Sequence, residues 1–156
     1  MSLTNFMKDV SIFKDLTAVQ MAKVESISNV RNCKKGEVII KEGDAGTEFF
    51  TVIDGLIAIN KNVAGGRRRN LVNLSAGETF GELVMFDQEP RSASAEAVKD
   101  STIAVFQIDR FMEIMKRDVD LSNRVQIQII KMMCERLRNT DNLLNEGVIW
   151  GFRMAI

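Results

Sequence analysis

A glycine, a carboxylate and an arginine lie within one short stretch of the chain, residues 80–95, with the sequence FGELVMFDQEPRSASA. Gly81 and Glu82 stand at its start, and Arg91 follows the chain's only proline. Arginine presents a planar set of donors that can pair with two phosphate oxygens at once. A carboxylate repels phosphate, so its expected partner is a hydroxyl group. The stretch therefore favours a ligand that is anionic at one end and carries a hydroxyl beside the anion, such as a sugar phosphate.

The residues between and after these charges indicate how such a ligand would be held. Residues 82–86 can form a short helical turn whose first amides face an anion, and Gly81 allows close approach to the backbone. Hydroxyls and small side chains follow the arginine, at Ser92, Ala93, Ser94 and Ala95. The structural alternative is that Arg91 forms a salt bridge, for example with Glu82.

The composition excludes several kinds of chemistry. The chain has 156 residues, and its 21 basic and 21 acidic side chains leave a net charge of zero, unlike the basic footprint of most nucleic-acid-binding proteins. Histidine is absent, which removes the commonest general base and metal ligand. The two cysteines, Cys33 and Cys134, are too few for a structural zinc site and are expected to be buried or half-buried thiols rather than a disulfide. We expect neither a catalytic centre nor a metal site.

Nothing in the sequence indicates export or membrane insertion. No apolar run reaches the roughly 18 residues that a membrane-spanning helix needs. The amino terminus lacks the basic start and apolar stretch of a signal peptide. We therefore expect a cytoplasmic protein that does not contact a membrane.

The first part of the chain is predicted to be helical. Thr17 and Gln20 have the spacing of a capping box, so a helix should begin after Thr17. The helical stripe expected after this cap is short and imperfect and consists of Val19, Ala22, Lys23, Ile27 and Val30.

From Lys34 onward, short β-branched and aromatic runs alternate with turn residues. The expected strands are residues 38–40, 49–53, 56–59, 71–74, 97–98 and 101–106. Strands of this length, separated by glycine-containing turns, predict a small barrel or jelly roll. The basic run Arg67–Arg69 lies near a predicted hairpin tip, where we expect it to be solvated rather than to bind nucleic acid.

The last third of the chain is predicted to be helical again. Asp109 is expected to cap a short helix, and a longer helix is expected from about Leu121 to about Asn145, ended by Gly147. It carries two adjacent apolar stripes, Val125, Ile129, Met133 and Leu137, and Ile127, Ile130 and Cys134. This face either packs entirely on the barrel or partly covers a ligand or a second subunit.

The chain ends with an unusually apolar segment, residues 147–156, which includes Trp150 and Phe152. Such a tail could fold over the ligand, dock on a partner or pack elsewhere. Because no linker-like segment divides the chain, we expect a single domain over residues 1–156. Its barrel would span about residues 30–107 and its C-terminal helical segment about residues 109–145.

The stretch 80–95 resembles the phosphate-binding cassette of the cyclic nucleotide-binding domain family, which includes the catabolite activator protein, kinase regulatory subunits and nucleotide-gated channels. The cassette has the form Phe-Gly-Glu-Leu, a short helix, and Pro-Arg-small-Ala-Thr/Ser, and this chain has FGEL at 80–83 and PRSAS at 90–94. Further upstream matches lie at residues 35–39, 42–44, 49–55 and 74–79. The resemblance covers about residues 10–140.

This resemblance implies a mainly β fold, an eight-stranded β jelly-roll barrel with N-terminal helices and a long C-terminal helix. It assigns Glu82 to the ribose 2′-hydroxyl and Arg91 to the cyclic phosphate. The cradle would be completed by backbone groups of Gly81, Leu83, Ser92 and Ala93. The long helix would cover the purine and shift on binding, so the implied function is a non-catalytic sensor that relays occupancy through this helix.

The ligand expected from the resemblance is cAMP, with cGMP left open. Ser92 does not discriminate, because a hydroxyl residue after the arginine occurs in cGMP-preferring kinase sites and in cAMP-binding bacterial proteins. We favour cAMP because it is the ligand expected of bacterial-type domains of this family, and no residue of this chain decides between the two nucleotides. We expect no cofactor and no direct DNA binding, since no helix-turn-helix follows the long helix, and we allow for a homodimer through that helix.

Two positions depart from the family pattern. Val84 stands where alanine or glycine is usual, and Ala95 stands where valine is frequent. Bulk at Val84 would tighten the short helix and weaken ligand binding. The second hypothesis is therefore an interaction module whose degenerate pocket no longer binds nucleotide and whose long helix and tail form a homodimer.

Overall fold

The structure is a computed structural model that describes residues 6–153, with side chains described for residues 6–141. Its strands form two antiparallel four-stranded sheets, in the orders β1-β8-β3-β6 and β2-β7-β4-β5. The strands are β1 Ser28–Cys33, β2 Val38–Ile40, β3 Glu48–Asp54, β4 Ile57–Val63, β5 Arg67–Leu74, β6 Thr79–Phe80, β7 Ser94–Ala97 and β8 Ser101–Gln107.

Helices lie before, within and after this β region. They are α1 Ala18–Glu25, α2 Val84–Asp87, α3 Ile108–Arg117 and α4 Val119–Arg153. Within the described part of the chain, no helix combines the length and apolarity needed to cross a membrane.

The predicted mainly β fold with helices on both sides is confirmed. The pairings among residues 6–153 form two separate sheets and do not close into one. Closure into a jelly-roll barrel therefore stays a prediction.

Two hydrophobic clusters lie on opposite sides of β3. Because successive side chains of a strand point to opposite faces, Phe49 lies in one cluster and Phe50 in the other. Phe49 stacks on Phe106 with ring centroids 4.7 Å apart, in the cluster that joins the N-terminal segment to α3 and α4. Phe50 stacks on Phe80 at 5.1 Å in the cluster between the sheets. The second cluster forms the floor below residues 80–95.

The N-terminal helix begins as predicted but presents a different face. Gln20 N donates to Thr17 Oγ1, and Thr17 N donates to Gln20 Oε1, which completes the capping box. Within the helix the predicted stripe is wrong, because Met21 and Val24 are buried whereas Val19 is 70% exposed. Ile27, beyond the end of the helix, does pack against the core. The helix ends at Glu25, so Val30 lies in β1.

The two C-terminal helices meet at a single residue that lies outside both. Asp118 has φ −128° and ψ 90°, and its backbone leaves the helical path between α3 and α4. Its carboxylate accepts from Lys23 Nζ at 2.7 Å and from the amide of Leu121 at 3.0 Å. Because Lys23 belongs to α1, this junction is tied to the N-terminal helix.

Two predicted helix ends are wrong. The N-cap of α3 is Gln107, which has extended backbone angles. Asp109 lies inside the first turn, where its carboxylate accepts from the amide of Arg110 and from no other donor in the described part of the chain. At the other end, α4 continues through Gly147 to Arg153. A helical φ and ψ are open to glycine, so glycine ends a helix only where the chain turns away.

The two predicted stripes on α4 have different surroundings. In the first stripe, Val125 and Ile129 are buried in the cluster that joins the N-terminal segment to α3 and α4, but Leu137 is largely exposed. In the second stripe, Ile127, Ile130 and Cys134 are all exposed. Packing on the β region therefore accounts for only part of the apolar face. The side chains of the predicted tail 147–156 lie outside the described residues.

Candidate ligand-binding site

The stretch 80–95 runs from β6 through the short helix α2 to β7, across the end of the core between the sheets. Gly81 has a φ of +75°, a conformation that favours glycine. A Cβ at Gly81 would lie 2.7 Å from Arg91 Nη1, so the missing side chain also makes room for the guanidinium.

Arg91 is built into the β region rather than displayed on the surface. Its side chain donates from Nη1 to the carbonyl oxygen of Gly81 at 2.8 Å and from Nη2 to that of Glu48 at 2.6 Å. Its Cζ lies 5.9 Å from the centroid of the Phe50 ring. The residue is only 8% exposed, and this burial lowers the pKa of the guanidinium. A buried cation held by carbonyls retains its charge for a ligand.

The predicted alternative for Arg91, a salt bridge to Glu82, is wrong. Among the described side chains, no carboxylate lies within ion-pair distance of Arg91. The reason is that the carbonyls of Gly81 and Glu48 already orient the guanidinium.

Gly46 is a site residue that the sequence did not reveal. A Cβ there would lie 2.4 Å from Arg91 Nε and 2.5 Å from Arg91 Cζ. Its φ is not in the left-handed region, so its role is to leave space for Arg91. Turn glycines are indicated by their neighbours, but a glycine that makes room for a residue distant in sequence has no local signal.

Glu82 is 1% exposed and has one satisfied oxygen. Its Oε1 accepts from Arg136 Nη1 at 2.6 Å, and Arg136 Nη2 donates to the carbonyl oxygen of Thr79 at 2.5 Å. Glu82 Oε2 has no hydrogen-bond partner within the described part of the chain. A buried carboxylate oxygen without a donor is costly, and this makes Oε2 a ready acceptor for a hydroxyl.

Arg136 was also missed. It belongs to α4, 54 residues from Glu82 along the chain. The two stripes predicted on that helix were apolar and did not include it. The local sequence contained no signal, because Arg136 is one of several charged residues there, between Glu135 and Arg138.

A single cavity of about 840 Å³ brings these residues together. All six predicted site residues line it: Gly81, Glu82, Leu83, Arg91, Ser92 and Ala93. Val84 and Ala95, the two departures from the family pattern, line it as well. Ser94 does not, since its hydroxyl oxygen accepts from the amide of Glu42 at 3.0 Å.

Two further elements complete the cavity wall. Helix α4 contributes Met132, Arg136 and Thr140, and the β4–β5 hairpin contributes Ile59, Lys61 and Val72. The cavity thus has a cation at Arg91, an acceptor at Glu82 Oε2 and apolar surface beside them. Among the described residues, no group of His, Cys, Asp and Glu side chains could hold a metal ion.

The chain belongs to the cyclic nucleotide-binding domain family. The family model matches residues 30–118, more than half of the chain, and this span contains the whole cassette. Domains of this family are regulatory.

Relatives of the chain include both kinase subunits and bacterial receptors. A cAMP-dependent protein kinase regulatory subunit of Mycosarcoma maydis is 35% identical over 59% of this chain, which spans 17% of that protein. The cyclic AMP receptor protein of Thermus thermophilus is 28% identical over 86% of this chain, which spans 61% of it. The chain therefore spans less than two thirds of the length of each of these two relatives.

Solved structures agree with the fold. The catabolite activator protein of Thermus thermophilus superposes with a TM-score of 0.75 at 27% identity, covering 86% of this chain and 62% of that one. A cyclic nucleotide-binding domain from Methylobacillus flagellatus gives a TM-score of 0.82 at 21% identity, covering 92% and 85%. At that identity, the second match shows the fold alone.

Proposed function

We propose that the cavity beside residues 80–95 binds a cyclic nucleotide, with cAMP favoured over cGMP, and that the protein is a non-catalytic sensor. One observation carries the proposal: a buried cation and a buried carboxylate oxygen without a partner line the same cavity. A cyclic nucleotide supplies an anion for the first and a ribose hydroxyl for the second.

The assignments follow from the charges and their partners. Arg91 binds the cyclic phosphate, because its guanidinium has carbonyl partners but no carboxylate neutralising it within ion-pair distance among the described side chains. Glu82 accepts the ribose 2′-hydroxyl through Oε2. Backbone groups of Gly81, Leu83, Ser92 and Ala93 complete the cradle around the phosphate. In the jelly-roll arrangement, the purine then lies between the β4–β5 hairpin and α4.

Occupancy is relayed by α4. This helix is joined to α3 through the single non-helical residue Asp118, and it reaches the site through Arg136. A ligand hydroxyl at Glu82 changes the environment of the carboxylate that Arg136 binds. The position of α4 is therefore coupled to the ligand by this ion pair.

The experiment is calorimetric titration of the folded protein with cAMP and with cGMP, with 5′-AMP as the control. The proposal expects saturable binding of at least one cyclic nucleotide and much weaker binding of 5′-AMP, whose phosphate has a different shape and charge. Absence of heat with both cyclic nucleotides at millimolar concentration would overturn it.

A second candidate function is supported by the exposed apolar residues of α4. Ile127, Ile130 and Leu137 are 51%, 60% and 63% exposed and repeat at intervals of three and seven residues. They suit a homodimer through this helix, either as part of the sensor or in a module with a degenerate pocket. Light scattering with and without cAMP separates the two, since the degenerate module forms a dimer that nucleotide does not affect.

A further inference from the structure

Lys61 lies on the wall of the same cavity, on strand β4. This strand pairs with β7 so that Ile59 faces Ala95 and Asn60 faces Ser94. Because side chains alternate along a strand, Lys61 shares the cavity side with Ile59. The pairing brings Lys61 beside the residues that follow Arg91, and its Nζ donates to the carbonyl oxygen of Ser92 at 2.8 Å.

The ammonium group of Lys61 is not neutralised there. Lysine carries three donors, and Ser92 takes one of them. No carboxylate among the side chains of residues 6–141 lies within ion-pair distance of Lys61. The residue directly across the ladder on β5 is Arg69, another cation. Opposed like charges destabilise a strand pair, so the stability of the hairpin does not account for Lys61.

We propose that Lys61 is a second cationic contact for the ligand's phosphate, beside Arg91. This inference rests on the proposed function, since it needs a cyclic phosphodiester in the cavity. Arg91 holds the anion from the core, with both terminal nitrogens already bonded to carbonyls. Lys61 approaches from the hairpin and has two donors left for a phosphate oxygen.

The test compares Lys61→Gln with Arg69→Gln in calorimetric titrations with cAMP and cGMP. Both variants remove one positive charge from the same hairpin, but Arg69 is not part of the cavity wall. Lys61→Gln should raise Kd about three- to tenfold for both nucleotides, a small loss for an ionic hydrogen bond because the side chain is exposed. Arg69→Gln should change Kd by less than about twofold, and Lys61→Arg should restore most of the affinity.

Three outcomes overturn the role of Lys61. These are a Lys61→Gln variant with wild-type affinity, an equal loss in Arg69→Gln, or a loss confined to one of the two nucleotides, which indicates a base contact. Each of these three outcomes can be read only if the wild-type protein binds a cyclic nucleotide. A folded wild-type protein that binds neither nucleotide overturns the proposed function instead, so the two failures are distinguishable.

Discussion

Glu82 and Arg91, the two charged residues assigned to the ligand's ribose and phosphate, are only nine positions apart, yet their surroundings differ in kind. Arg91 is held by carbonyl oxygens of Gly81 and Glu48, groups that belong to the cassette and to strand β3. Glu82 is held on one oxygen by Arg136, which belongs to the long helix α4, and has no described partner on the other. One end of the cavity is fixed by the β region, and the other depends on the helix.

This difference suggests two roles: Arg91 contributes mainly to ligand affinity, and Glu82 with its partner Arg136 contributes mainly to the signal carried by α4. Two backbone carbonyls hold the guanidinium of Arg91, one of them on strand β3, so Arg91 is suited to anchoring an anion. A group whose partner comes from a helix joined at one residue can report on the position of that helix. The predictions below test this division of roles.

The largest effect is expected at the fixed end. Arg91→Ala should weaken cyclic nucleotide binding by about 1.5–3 kcal/mol, which is roughly 10- to 150-fold in Kd, because it removes an ionic hydrogen bond to the phosphate. It should also destabilise the fold by about 1–3 kcal/mol, since two carbonyls lose their donor. Calorimetry and urea unfolding measure the two losses, with the exposed Arg117→Ala as the control. Unchanged affinity would remove Arg91 from the site.

The next effect concerns the hydroxyl acceptor. Glu82→Gln should weaken cAMP binding about tenfold, the scale of one hydrogen bond to a charged group. Wild-type protein should prefer cAMP to 2′-deoxy-cAMP, and the variant should lose most of that preference. Titration of wild type and variant with both ligands gives the ratio of the two Kd values in each protein, and the comparison of these ratios is the test. If the preference survives in the variant, Glu82 does not bind the ribose hydroxyl.

A smaller loss should follow from disturbing Arg91 without removing it. Gly46→Ala places a Cβ 2.4 Å from Arg91 Nε, so the guanidinium must shift and Kd should rise severalfold. The matched control is Gly43→Ala, which strains a backbone φ of +87° with nothing within 4 Å of the new Cβ. The control should lose about 1 kcal/mol of stability and keep its affinity. Equal losses of affinity in both would contradict the role assigned to Gly46.

The smallest effect is expected at the helix junction and depends on pH. Lys23 lowers the pKa of the Asp118 carboxyl below its ordinary value of 3.8, with the amide of Leu121 contributing next. A carboxyl with a lowered pKa stabilises the fold above the unfolded pKa, and this contribution is lost as the pH falls through the folded pKa. Asp118→Asn should therefore be less stable than wild type at pH 6, and the difference should shrink below about pH 3.8. Urea unfolding across this range measures it, and a constant difference would contradict the assignment.

The cassette could be predicted from the sequence because its functional groups are contiguous. Residues 80–95 carry the glycine, the carboxylate and the arginine in one stretch. The short helix predicted over residues 82–86 forms slightly later, as α2 at Val84–Asp87. Six of the eight strands were also indicated locally by β-branched runs and turn glycines, which is why the mainly β fold was predicted correctly, whereas β1 and β6 were missed.

The remaining parts of the site depend on distances that the sequence does not contain. Arg136 is 54 residues from Glu82, and Lys61 is 31 residues from Ser92, so strand pairing and helix docking alone bring them together. The predicted Arg91–Glu82 pair failed for the same reason, since both side chains found partners on other elements. Local sequence can also mislead about a helix start. The side chain of Asp109 is typical of an N-cap, but the residue with the extended backbone of an N-cap is Gln107.

The division between a fixed end and a helix-dependent end is tested most directly by amide hydrogen exchange with and without saturating cAMP. We expect protection of the amides in residues 81–93 and a change in exchange over residues 132–140 of α4, while the already stable strand β3 at residues 48–54 stays unchanged. An α4 that exchanges identically in both states, in a protein that demonstrably binds cAMP, would contradict the relay through Arg136.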